Sequence, residues 1–349
     1  MDSTYTGEYG RLKVLRSEFL GNDLIDSLEQ KEADEFIKAL GNTGYRKEID
    51  ELSALYKPPD LIEVVLNAHM MRMNRSAASG VPPLARNLIA AYAGRWDIEN
   101  IKVILSSKKL GYSVDKTETF LLVHRNIPVG IFSGVISRED YSNMIAQKDI
   151  EGVVNSLVKY GYGTPLLKYM DEAKKGDISS MILALDTYYY SRLLGAFRFY
   201  MGNEGLLLNY IRELIDVKNI MIVVKNYAYN GEVKEFLIKG GYIAEAKLAE
   251  MASKDINSIG GYLPFKIDDA ISTYKAERFS SYIETALKRE LYRKYLGLFT
   301  QSGISVEQII GFMLRGEIER DELRGIWLGK YYNVGRDRIN RMRLLKYVI

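Results

Sequence analysis

The sequence predicts an all-α fold built from three homologous helical units, and three observations predict it. First, a short motif recurs. Asp97-Ile98-Glu99-Asn100-Ile101 returns as Asp216-Val217-Lys218-Asn219-Ile220, and in weaker form as Glu319-Arg320-Asp321-Glu322-Leu323. Each copy has an acid, two variable positions, a polar residue and an aliphatic one, within a largely apolar run. Second, the copies keep register with Gly-Tyr turns upstream. Tyr45 precedes Asp97 by 52 residues, Tyr162 precedes Asp216 by 54 and Tyr262 precedes Glu319 by 57. Third, apolar residues recur at three- and four-residue steps, the period of a helix with one buried face. Repeats of this size each pack against a neighbour, so three in one chain form either a short solenoid or a pseudo-threefold object around an axis.

Composition agrees with a folded helical protein. The chain has 349 residues, 47% hydrophobic and 27% charged, with only seven prolines. Its length exceeds one ordinary core. Net charge is +3, too small by itself to argue for nucleic-acid binding. Cysteine is absent, which removes disulfide and thiolate chemistry. Twenty-six tyrosines accompany two histidines; tyrosine gives broad apolar area with a polar tip, useful in helix packing and at interfaces. The opening residues are polar and lack the apolar core of a secretory signal. No run approaches the roughly 18 apolar residues of a membrane span. The expected location is cytoplasmic, with any membrane association peripheral.

The first unit is assigned to residues 1–110. Glu8–Leu20 reads as a helix stopped near Gly21, and Asn22–Leu40 as another, with Leu24, Ile25, Leu28, Phe36, Ile37 and Leu40 apolar. Gly41–Tyr45 is a turn. Arg46–Tyr56 is helical up to Pro58 and Pro59, because a residue before proline avoids helical dihedrals. Asp60–Ser76 turns Leu61, Val64, Val65, Ala68 and Met71 inward. The organising stretch is Leu84–Lys108, a long helix whose stripe carries Leu88, Tyr92, Trp96, Val103 and Ile104, with Asn100 inside it. Pro82 and Pro83 precede it, where the first amides lack partners anyway.

The second unit is assigned to residues 111–235. It contains the loop Pro128-Val129-Gly130, helices at Asp140–Gln147 and Ile150–Tyr160, the turn Gly161–Pro165, and long helices at Ser179–Tyr200 and Gly205–Tyr229. The third, residues 236–349, opens at Gly240-Gly241-Tyr242. It continues through Ala244–Ala252, a Gly260-Gly261-Tyr262 turn, and long helices over Ile267–Phe299 and Ser305–Gly316, with more helix to the end.

Each candidate for chemistry fails on inspection. Gly325–Tyr331 faintly resembles a phosphate loop, but three residues separate its glycines instead of four, and a tyrosine replaces the magnesium-binding hydroxyl. His69 sits on a Met-rich apolar helix and reads as a packing histidine. His124 lies near a unit boundary, where a surface or turn role fits. Neither has a cysteine partner for a metal site. Asp268 and Asp269 lack the third acid of a diphosphate-metal motif and read as helix N-terminal acids. The basic stretch Arg336–Lys346 suits anionic headgroups or an acidic partner, against the plainer reading of a solvated helix face. No catalytic, cofactor or metal residue is assigned. The structural candidates are the motif residues Asp97, Asn100, Asp216, Asn219, Glu319 and Glu322. A buried amide must have its hydrogen bonds met, so Asn100 and Asn219 are expected to bond a neighbouring helix or unit and fix its register. The plainer reading leaves each at a half-exposed stripe edge.

The triplicated helix motif, the Leu185–Gly195 segment and the Gly-Tyr turns together resemble the C subunit of archaeal and bacterial A/V-type ATP synthases, whose family also holds the d subunit of the vacuolar ATPase. Trp96–Lys102 matches the family's first repeat helix. Pro128-Val129-Gly130 and Gly240-Gly241-Tyr242 resemble its Pro-Gly-Gly loops, and Leu323–Lys330 resembles its last repeat. Departures occur at Glu322, where asparagine is expected, at Lys239, where proline is, and at Ser106-Ser107, where an arginine is common. The resemblance implies a funnel of three helical units around a pseudo-threefold axis. It implies a non-catalytic central-stalk component without cofactor. Such a part sits peripherally at the cytoplasmic face of the membrane, caps the proteolipid rotor ring and holds the central-shaft subunits. It thereby couples rotation to the catalytic head of an enzyme that makes ATP or pumps protons or sodium ions. The alternatives are a generic helical-repeat scaffold, which would need a basic concave stripe to bind nucleic acid, and an all-helical enzyme, which would need converging acids or a metal set.

Overall fold

The computed structural model describes residues 6–121, 136–198, 205–229, 236–302 and 305–348, and among them every regular element is helical. The first stretch holds α1 (Thr6–Leu15), α2 (Asn22–Gln30), α3 (Ala33–Leu40), α4 (Arg46–Leu52), α5 (Asp60–Ala78), α6 (Pro83–Lys109) and α7 (Val114–Phe120). Next come α8 (Arg138–Ala146), α9 (Ile150–Val158), α10 (Met170–Lys174), α11 (Ser179–Arg198) and α12 (Gly205–Tyr229). The last are α13 (Glu245–Ser253), α14 (Asp268–Glu277), α15 (Ser281–Gln301), α16 (Val306–Tyr331) and α17 (Arg336–Met342). The residues gather into two compact units. One is Met1–Glu18 with Ile37–Gly202; the other is Phe19–Phe36 with Asn203–Ile349. The chain therefore passes between units three times, and an early segment is built in with the late helices.

In the first unit α6 packs along α11 and also meets α7 and α9. This explains why α6 is buried on more than its expected stripe. Leu88, Tyr92, Trp96 and Ile104 are buried, and so are Ala85, Ile89, Ala93, Ile98, Ile101 and Leu105, while Val103 is half-buried. Pro83 sits in the first turn, after an extended Pro82. Helix α5 buries Leu61, Val64, Val65, Ala68 and Met71 against α1, α4 and α7. Ile62, Leu66, Met70 and Met73 are buried as well, so α5, like α6, is enclosed on more than its predicted face.

In the second unit α15 packs against α12, α14, α16 and α17. Helix α16 runs unbroken through Gly316 and is buried on most sides, with Trp327 fully enclosed. The phosphate-loop-like Gly325–Tyr331 lies inside it, so those residues form helix and no loop. Val223, Leu237, Leu248 and Met251 form a core between α12 and α13.

Two expected helices are divided. Asn22–Leu40 breaks after Gln30, where Lys31 is extended; the bend lets Phe36 on α3 meet Trp327 at 5.4 Å between ring centroids. Ile267–Phe299 breaks at Arg278, which takes the left-handed conformation at φ 61° while its amide closes α14 on Tyr274. Neither break carries a glycine or proline, so the local sequence gives no punctuation. His124 and Pro128-Val129-Gly130 lie outside the described residues.

Candidate functional site

The six motif residues are all buried, and among the described residues each copy of the motif holds a segment from elsewhere in the chain. In the first copy, Asp97 is fully enclosed on α6. It accepts hydrogen bonds from the Tyr141 hydroxyl at 2.7 Å and the Tyr162 hydroxyl at 3.0 Å. Tyr141 comes from α8 and Tyr162 from the turn after α9. Asn100, one turn further along α6, is buried on the same helix. Burial, followed by the neighbouring Asp97 carboxylate, pushes both phenols far above their ordinary range, so they remain donors. Gly163 is required here, because a Cβ would overlap the Val154 carbonyl and the Val158 amide.

In the second copy the same two positions bind backbone directly. Asp216 accepts from the Tyr242 and Ile243 amides, each at 3.0 Å, one on each carboxylate oxygen. Burial raises its pKa, and the two amides oppose that only in part. Asn219 takes both polar groups of one residue. Its Nδ2 donates to the Ile238 carbonyl at 2.9 Å, and its Oδ1 accepts from the Ile238 amide at 2.8 Å. Gly241 lies so close over Asp216 that a Cβ would collide with the carboxylate. The segment from Ile238 to Ile243 is therefore fixed to α12 at both ends, by Asn219 and by Asp216.

The third copy carries two glutamates, whose longer side chains reach two segments. Glu319 accepts from the Leu20 amide at 2.9 Å and pairs with Arg315 at 3.0 Å, while Arg315 donates to the Leu20 carbonyl at 2.8 Å. Glu322 accepts from the Leu344 amide at 2.5 Å and the Leu345 amide at 3.2 Å. Its other oxygen takes the Arg343 Nε at 2.6 Å. The buried Arg343 guanidinium also meets Asp26 at 2.5 Å and Glu29 at 2.8 Å on α2. Of the two asparagines, Asn219 bonds the connecting segment that follows its helix, at Ile238, and Asn100 is enclosed on α6.

The remaining candidates have structural surroundings. His69 is buried, stacks on Tyr45 at 3.8 Å and faces Glu48 at 3.2 Å. Burial raises Glu48, but His69 and Arg72 outweigh it and leave the carboxyl below its ordinary value. Asp268 and Asp269 occupy the first turn of α14. The basic stretch 336–346 finds acidic partners in its own chain. Arg338 and Arg341 pair with Glu277, Arg336 bonds Gln30, and Arg343 joins the cluster above. Ile339, Leu344 and Leu345 are buried beneath. Among the described residues no group of three or more His, Asp or Glu is arranged to hold a metal, and no helix is long and apolar enough to cross a membrane.

These contacts tie together the segments that repeat, so the relationship of the whole chain to known proteins decides the family. A family model described as ATP synthase (C/AC39) subunit matches residues 9–342, which include all three motif copies. The chain belongs to this family. It is 37% identical to the A-type ATP synthase C subunit of Thermoplasma volcanium, over 97% of this chain and 98% of that one. Identity to the C subunit of Thermoplasma acidophilum is 38%, over 97% of both chains. Identity to that of Archaeoglobus fulgidus is 27%, over 96% of this chain and 94% of the relative.

Sequence reading missed the partners of the motif within this family member: Tyr141, Ile238, Arg315 and Arg343. One signal pointed to the last. Replacing Asn by Glu322 removes the donor of the motif, so whatever it holds must supply donors only, as two amides and a guanidinium do.

Proposed function

We propose that the chain is a non-catalytic central-stalk component of a membrane rotary A-type ATP synthase, capping the rotor ring and holding the central shaft so that rotation reaches the catalytic head. The observation that carries this reading is the relationship, along nearly its whole length, to proteins named as the C subunit of A-type ATP synthase. The part is peripheral, bound at the cytoplasmic face through the ring proteolipids and the shaft subunits. Its three homologous units, residues 1–110, 111–235 and 236–349, stand around a pseudo-threefold axis. The recurrence of the motif acid at positions 97, 216 and 319, once in each unit, supports that arrangement. So does the way each copy's acid holds residues belonging to another of the three units. A part that transmits torque must resist shear between its pieces. Buried charge-assisted hydrogen bonds from helix to backbone serve that end, because they have narrow geometric tolerance and a high penalty for breaking.

The test is co-sedimentation of the purified chain with its own organism's central-shaft subunits, then with the detergent-solubilised rotor ring. A one-to-one complex with the shaft together with ring binding is the expected result. Failure to bind either would overturn the proposal and leave a helical scaffold of another kind.

A further inference from the structure

The three motif acids hold their partners in a cyclic order. Asp97, of the first copy, holds Tyr141 and Tyr162, which belong to the stretch between the first and second copies. Asp216, of the second, holds Tyr242 and Ile243, between the second and third. Glu319, of the third, holds Leu20, which lies before the first. The first two links join residues 26 to 65 positions apart, whereas the third joins residues 299 apart. A short loop keeps its ends near one another when their contacts break; a long one does not.

The third link is also built differently. Residues 19–36 hold the short helix α2 and the first half of α3 with a break between them, flanked on both sides by chain belonging to the other compact unit. They are held by a compact set of groups. Phe19 meets Phe312 at 4.8 Å and Phe36 meets Trp327. Leu20 is bracketed by Glu319 and Arg315. Ile25 and Leu28 are fully buried. Asp26 and Glu29 converge on Arg343, which Glu322 holds from the opposite side. Three carboxylates thus share one buried guanidinium. Such a cluster is strong only while complete, since removing the cation leaves buried carboxylates facing one another.

We infer that residues 19–36 are a strap, clasped onto the late helices of their own unit by Arg343 and Glu319, and that this clasp opens as a separate step while the helices of the first unit stay folded. It is the one link of the cyclic order with no short covalent connection behind it. Its opening uncovers the faces of α16 that carry Phe312 and Trp327. The inference stands on the fold and does not depend on the assembly proposed above.

The absence of cysteine gives a clean experiment. Leu28→Cys places a buried thiol in the strap, and Ser107→Cys places one on α6 in the first unit, where Ser107 is buried. The rate of maleimide labelling is then measured with and without Arg343→Met. The expected result is at least about tenfold faster labelling at position 28 and a change within about twofold at position 107. Equal acceleration at both positions would overturn the inference, because the clasp would then open only with the whole fold. No acceleration at either would overturn it too. Should Arg343→Met fail to accumulate as folded protein, Glu319→Gln makes the same comparison through the other half of the clasp. Arg343→Lys, which keeps the charge but loses the fork geometry, should fall between Arg343 and Met in labelling rate at position 28.

Discussion

Asn219 and Ile238 exchange two hydrogen bonds, amide to carbonyl and amide to side-chain oxygen, at 2.9 and 2.8 Å. One side chain thereby satisfies both backbone polar groups of a buried residue, as a neighbouring strand would in a sheet. Asn219→Leu leaves both groups without that partner and should destabilise the second unit by about 2–4 kcal/mol. The chain has two tryptophans, Trp96 in one compact unit and Trp327 in the other. Urea unfolding followed by Trp327 in a Trp96→Phe background reads the second unit alone. An unchanged midpoint would show that Asn219 holds nothing.

Asp97 makes a contrasting prediction because its partners are side chains. Tyr141→Phe removes a hydrogen bond to a buried carboxylate and should cost about 1.5–3 kcal/mol. In an Asp97→Asn background the same change should cost much less, with a coupling of about 1 kcal/mol or more. Unfolding followed by Trp96, with Trp327→Phe, measures the cycle. Additive effects would mean that the hydroxyl and carboxylate do not interact.

Gly241 should tolerate no side chain while Asp216 is present. Gly241→Ala forces the carboxylate away from the Tyr242 and Ile243 amides and should cost about 1–3 kcal/mol. In an Asp216→Ala background the penalty should fall by more than half. The second-unit unfolding midpoints of the four proteins decide between a local collision and a general intolerance of the loop.

Glu284 on α15 gives a pH dependence. Burial raises its pKa, but Lys288, Lys218 and Lys225 outweigh that and hold the carboxyl at about 2, below its ordinary 4.5. The charged form is therefore favoured by folding. The stability it supplies is fully present above pH 4.5 and is lost as the pH falls from there towards 2. Glu284→Gln should flatten that part of the stability profile of the second unit and lower the plateau above it. A parallel profile for both proteins would assign the acid loss to other groups.

Much of the fold was legible because long helices announce themselves twice, by period and by their ends. The α6 stripe and the inner face of α5 were legible in outline, although both helices are buried more widely than one stripe. The breaks at Lys31 and Arg278 were not, since neither carries a glycine or proline: the first goes with the distant contact of Phe36 and Trp327, and at the second Arg278 closes α14 on Tyr274 without a glycine. The motif residues were visible as polar positions on apolar stripes, which marks a buried polar group in need of partners but does not name them. Backbone partners such as Ile238 leave no trace in side-chain chemistry. The basic stretch stayed open between two readings for a related reason: a count of arginines cannot distinguish a surface that seeks acidic partners from one already paired with Asp26, Glu29, Glu277 and Glu322.

The placement of residues 19–36 among the late helices sets an order on biosynthesis. At roughly 5–20 residues per second on the ribosome, Leu20 emerges about 15–60 s before Glu319, 299 residues behind it. Over that interval Ile25, Leu28 and Phe36 have no finished site to occupy. The nascent chain must carry an unsatisfied apolar segment until nearly all of it has been made. A chaperone that holds such segments should therefore engage this chain early and let go late, and slowing translation should lengthen the association in proportion.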